Sequence, residues 1–148
     1  MPHHGLMDAT KMTEEQASLM RARLHLRGGT RRLEEGLSAA GIVALYDALL
    51  FGMRYFIART HHSLHIDLTN NEDLWDHAAL YHTLTKAGVF EDPYAFNHLS
   101  LTVEQALWQE SFSFDADAVL AEVEEMLTRL GVIPFNENFL MRESLLGS

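Results

Sequence analysis

The chain has 148 residues, no cysteine and a formal net charge of −10. That length suits one domain able to bury about two-thirds of its unfolded surface, and the lack of cysteine excludes disulfide scaffolds, cysteine-ligated metal sites and thiol catalysis. The charge is uneven: residues 1–59 hold eight Lys/Arg against six Asp/Glu, whereas residues 60–125 hold Lys86 alone against thirteen acids, so that second region repels nucleic acid.

Residues 1–12 lack periodicity and read as a flexible leader to a domain spanning 13–133. They also lack the basic start and apolar run of a secretory signal. Thr13-Glu14-Glu15-Gln16 carries a capping-box pattern, in which Thr13 caps the helix and Gln16 reaches back. Ala17, Met20 and Leu24 then mark an apolar face. On the other faces stand Arg21, Arg23, Arg27, Arg31 and Arg32, the only side from which RNA could approach and otherwise a solvated helix face. Gly28-Gly29 costs a helix interior roughly 2 kcal/mol against alanines, so the helix is expected to stop near Arg27 or to bend and resume at Thr30.

The segment from Ser38 or Gly41 to about Ala58 is apolar almost all round, the mark of a central buried helix. Its charges, Asp47 and Arg54, lie seven residues apart on one stripe and need the rim or a partner on another helix. Ala58 to Ile66, A-R-T-H-H-S-L-H-I, reads either as a polar turn at the helix end or as an Arg/His site. Leu64, Ile66 and Leu68 alternate with polar residues, as do Phe112 and Phe114, which allows a short strand pairing. Asn70-Asn71-Glu72-Asp73 predicts a helix start and Lys86 with Gly88 its end. Residues 88–101 are expected to form a connector, with a short helix opening at Thr102-Val103-Glu104-Gln105. A final helix starts near Asp115 and closes at Arg129 and Gly131. The tail, 134–148, is too apolar for a solvated end and is expected to pack on the domain or on a partner.

Three chemistries compete for the polar residues. Metal binding would draw on His61, His65 and His77, helped by His62, His82, Asp67, Asp73 or Asp76, but no complete metal signature is present and no cofactor is implied. Nucleophilic catalysis and phosphate loops lack their motifs. An Arg/His pair is the second option: Arg59 with His65, or Arg54 with His61, places a permanent cation beside an imidazole that exchanges protons near neutrality. Such a pair can cleave a phosphodiester without metal, Arg holding the phosphate and His moving the proton.

The run from Leu37 to Ala58, with Tyr46, Ala48, Leu49 and Leu50 inside it, resembles the core helix of HEPN domains (higher eukaryotes and prokaryotes nucleotide-binding), whose pattern is A-x-x-x-x-Y-Y-A-x-F-H-A-A-x-A-L-L. Thr60-His61 and the helix from Asp115 are similar to later family segments. The resemblance implies an antiparallel helical bundle, frequent dimerisation, and roles from RNA cleavage to non-catalytic partnership with a nucleotidyltransferase. Arg59, Thr60 and His65 match the letters of the family's Arg-x4–6-His motif. Two departures stand out: Asp47 replaces the second tyrosine, and the Arg/His pair directly follows the core helix instead of opening a later one.

The combined expectation is an all-α, antiparallel up-down bundle of four to five helices, HEPN-like, cytoplasmic and without a membrane segment. Its expected role is that of a homodimeric, non-catalytic interaction module with Arg54, His61 and Asp47 as a binding site; a metal-independent RNase using Arg59 and His65 is the alternative. A metal-binding bundle enzyme is the third.

Overall fold

The structure, a computed structural model, describes residues 13–64, 76–92, 94–109 and 113–134, with residues 61–64 as backbone only. The leader 1–12, the Asn70–Asp73 start and nearly all of the tail fall outside this range, as does most of the suggested strand pairing. Among the described residues the chain is all-α, with α1 Glu14–Glu34, α2 Ser38–Leu64, α3 His77–Lys86, α4 Ala95–Trp108 and α5 Ala116–Arg129.

Helix α1 opens on the expected capping box: Gln16 N donates to Thr13 Oγ1 and Thr13 N to Gln16 Oε1, both at 3.1 Å. Of the two expectations at Gly28-Gly29, a stop near Arg27 is excluded, because α1 continues through both glycines to Glu34. The reason is packing. A Cβ on Gly29 would stand 3.0 Å from the Gly41 carbonyl oxygen and 2.9 Å from Leu45 Cδ2, so the glycine lets two helix backbones meet and the burial offsets its poor propensity. A Cβ on Gly28 would meet only the tip of Arg32.

Glu35, Gly36 and Leu37 join α1 to α2, with Gly36 at φ 82° supplying the left-handed residue of the turn. Neighbours across the pair step in opposite directions: Leu33 meets Gly41, Gly29 meets Leu45, His25 stacks on Phe51, and Glu14 reaches Arg54. These two helices form an antiparallel hairpin.

Helix α2 is the hub, and α1, α3, α4 and α5 all pack against it. Ile42, Leu45, Leu49, Met53 and Ile57 recur at three- and four-residue spacing and are fully buried. Leu84 of α3, Leu99 of α4 and Leu127 of α5 close around them. By length and composition α2 could cross a membrane, but 61% of its most apolar window is buried within the protein, which is what a core helix requires. It also runs past Ala58 to Leu64, so residues 59–64 are helix and not the expected polar turn. Inside the helix the Thr60 hydroxyl is satisfied by donating to the Phe56 carbonyl at 2.6 Å.

Described helix α3 starts at His77, where the extended Asp76 caps it and its Oδ1 accepts from Ala78 N at 2.9 Å and Ala79 N at 3.2 Å; the Asn70–Asp73 start lies outside the described residues. One further expectation is corrected. Helix α4 begins at Ala95, seven residues before the Thr102 start expected from the capping-box letters. Thr102 lies inside it, buried, and donates to the His98 carbonyl at 2.9 Å. A threonine can cap a helix or bond back into one, and burial of Leu99 and Val103 on the same face selects the second. Helix α5 follows expectation, with Asp115 as its cap and Gly131 at φ 82° ending the turn beyond it.

Candidate functional site

Of the residues singled out in α2, Arg54 is the most committed to the fold. It is only 8% exposed, and its guanidinium forms an ion pair with Glu14, which is 58% exposed at the start of α1. Glu14 also accepts from the buried Ser18 hydroxyl at 3.2 Å. The stripe argument for a partner on another helix therefore finds its answer in Glu14, a residue that the sequence had marked only as helix-start acid. The first turn of α1 is thereby tied to the middle of α2.

Arg59 is exposed, and its guanidinium carbon lies 5.0 Å from the Tyr55 ring centroid and 5.5 Å from that of Phe56. Its Nη2 stands 3.1 Å from where a Gly131 Cβ would be, so the guanidinium lies directly against the residue that ends the α5 turn. Arg59 covers the C-terminal turn of α5, where a cation is favoured by the helix dipole. Position 61 shares a stripe of α2 with Arg54, two turns on. The His61 side chain and the whole of His65 lie outside the described residues, so the Arg59/His65 pair falls there too.

Asp47 is half-buried on α2, and its charge is felt at the other notable group, His77. His77 is the first residue of α3, and its ring lies parallel to that of Tyr46 with centroids 3.9 Å apart. Burial pushes its pKa below the ordinary imidazole value; the charge of Asp47, the Tyr46 carbonyl and Asp76 oppose that shift. Buried Nε2 has no hydrogen-bond partner among the described residues. The neutral ring extends a run of stacked aromatics: Tyr46 on Phe96 at 5.8 Å, Phe96 on Tyr81 at 5.2 Å, and Tyr81 on Phe90 at 4.6 Å. This run fastens α2, α3 and α4 together. Burial raises the phenol pKa of both Tyr46 and Tyr81 above the ordinary value.

At the far end of that run, a hollow of about 340 Å³ lies between Tyr81, Phe90, Glu122 and Arg129. Burial raises the Glu122 carboxyl pKa, countered by His98, whose Nδ1 is 3.7 Å away. Arg129 is held by Glu125 at 3.5 Å and Glu91 at 3.9 Å. Among the described residues, no three His, Asp or Glu side chains converge as a metal site would require. No protein-family model, curated protein or solved structure matches this chain.

The outer face of α4 was missed by the sequence reading. Tyr94, Leu101 and Trp108 stand 73%, 54% and 79% exposed. Their seven-residue spacing puts them on one stripe, drifting only about 20° per heptad. Glu104 is the only Asp, Glu, Lys or Arg in the helix. The seven-residue period is visible in the sequence, but with residues 88–101 read as a connector and a helix expected only from Thr102, Tyr94 and Trp108 fall in different elements.

Proposed function

We propose that this protein is a non-catalytic, HEPN-like helical interaction module, cytoplasmic, which associates with a second copy of itself through the outer face of α4. The observation that carries this reading is the Tyr94, Leu101, Trp108 stripe. A chain with a net charge of −10 repels its own copy, and α4 brings only Glu104 to such a contact. Heptad spacing is also the spacing at which one helix packs along another. The polar residues of α2 favour the same reading, because Arg54 is spent on Glu14 and Arg59 on its own aromatics and the α5 turn. A nucleotidyltransferase is the partner class that the HEPN resemblance implies for the assembled dimer.

Light scattering on the full chain tests this directly. The expected result is a dimer mass, shifted to the monomer in a Leu101→Glu, Trp108→Glu double variant that retains its helical circular dichroism. A wild-type chain that stays monomeric at high concentration would sink the proposal.

A further inference from the structure

The outer face of α4 reads nearly the same in both directions from Leu101. Aromatic residues stand seven places away on either side, Tyr94 and Trp108, and polar residues stand three and four places away, Asn97 and His98 before it, Glu104 and Gln105 after it. All are exposed except Gln105, which is half-buried. Steps of three, four and seven residues return to one side of a helix, so these positions share one surface about 21 Å long at 1.5 Å per residue.

Such symmetry matters because a two-fold pair of antiparallel helices sets each position level with the one equally far on the other side of the axis. With the axis at Leu101, that leucine meets its own copy, and Tyr94 meets the partner's Trp108 at both ends of the contact. Asn97 and His98 come level with the partner's Glu104 and Gln105. The Asn97 amide and an imidazole N–H donate, and the Glu104 carboxylate accepts. His98 is 72% exposed, with Nδ1 3.7 Å from Glu122 of α5, and its other ring nitrogen can meet an acceptor across the contact. A parallel pair does worse: it sets each residue level with its own copy, so two Glu104 carboxylates stand at one height between chains of net charge −10. Its helix dipoles are also aligned side by side, whereas the antiparallel pair opposes them.

We infer that the second copy docks antiparallel along α4 with Leu101 on the two-fold axis, each Glu104 being received by the partner's Asn97 and the partner's His98. This rests on the self-association proposed above and adds its orientation, its register and the polar residues that select a second copy of this chain.

The chain has no cysteine, so cross-linking reads the register cleanly. Full-length Asn97→Cys and Glu104→Cys chains, one of them size-tagged and both retaining the apolar stripe, are oxidised mildly, separately and mixed. The expected result is a mixed disulfide dimer that forms at least several-fold faster than either homodimer. In the antiparallel register two copies of position 97 lie about 12 Å apart along the helix axis, and two of position 104 about 9 Å apart, both beyond disulfide reach. Charge exchange supplies a second measurement, by sedimentation equilibrium. Asn97→Glu is expected to weaken self-association about ten-fold by setting carboxylates level with each other, and Asn97→Glu with Glu104→Lys to restore it. Homodimer disulfides as fast as the mixed one, or an exchange that fails to restore association, would overturn the register while the Leu101→Glu, Trp108→Glu variant still tests the dimer by itself. A wild-type chain that stays monomeric at high concentration would remove dimer and register together.

Discussion

Helices α2 and α4 are equally apolar on average, yet α2 hides its apolar side chains and α4 displays a stripe of them. The difference lies in the neighbours. All four other described helices pack around α2, whereas α4 is covered on the side of Phe96, Leu99 and Val103 and leaves Tyr94, Leu101 and Trp108 outside. Apolar composition therefore marks α2 as a stability element and α4 as a contact element only once the surroundings are known.

Truncation in the α2 core should break this comparison most strongly. Leu49→Ala is expected to lose about 2–5 kcal/mol in urea unfolding, because a fully buried leucine leaves a cavity. Next comes the ion pair that ties α1 to α2. Glu14→Ala removes the anion facing a buried guanidinium and should cost about 2 kcal/mol. Arg54→Met should cost less, about 1 kcal/mol, since it leaves behind a carboxylate already 58% exposed to water. If Arg54→Met proved the more damaging of the two, that asymmetry would be refuted.

The adjacent glycines sharpen the role of helix contact. Gly29→Ala is expected to destabilise by roughly 1–2 kcal/mol, since its Cβ would press on the Gly41 carbonyl and Leu45. Gly28→Ala should instead stabilise by up to about 1 kcal/mol, as Arg32 can swing aside and the helix gains propensity. Equal effects from the two changes in thermal melts would contradict the close approach.

A pH dependence is expected at the α2/α3 contact. Folded His77 has its pKa below the ordinary 6.5, so below that pH the unfolded chain binds more protons than the folded one. Its contribution is thus complete above about pH 6.5 and is lost as pH falls through that value. His77→Phe keeps the stacking on Tyr46 and should remove this part of the slope, measured as the difference in melting temperature between wild type and variant from pH 7.5 to 5.5. A difference that is flat with pH would show that His77 does not contribute. The smallest effect belongs to α4, where Leu101→Ala should alter monomer stability by less than about 0.5 kcal/mol while weakening self-association.

Local signals were legible where they were complete. Thr13 with Gln16, Asp115, and the glycines at 88 and 131 mark ends that the structure uses, with positive φ at both glycines; Gly36, also at positive φ, ends α1 without having been singled out. The candidate site was less legible, because each residue there has two uses. Arg54 could bind a phosphate or an internal carboxylate, and Glu14, forty positions away, determines which. His77 could ligate or stack, and Tyr46 across the helix interface makes it stack. Thr102 could start α4 or lie inside it, and the buried face decides.

The sequence by itself determined an all-α chain with a central apolar helix, since period and capping act over a few residues. The tertiary structure alone decided between a stop and a continuation at Gly28-Gly29, that Arg54 belongs to Glu14, and that α4 turns an apolar stripe outward. Each of these depends on atoms brought within a few ångströms by packing, and neither backbone propensity nor motif spacing carries that distance.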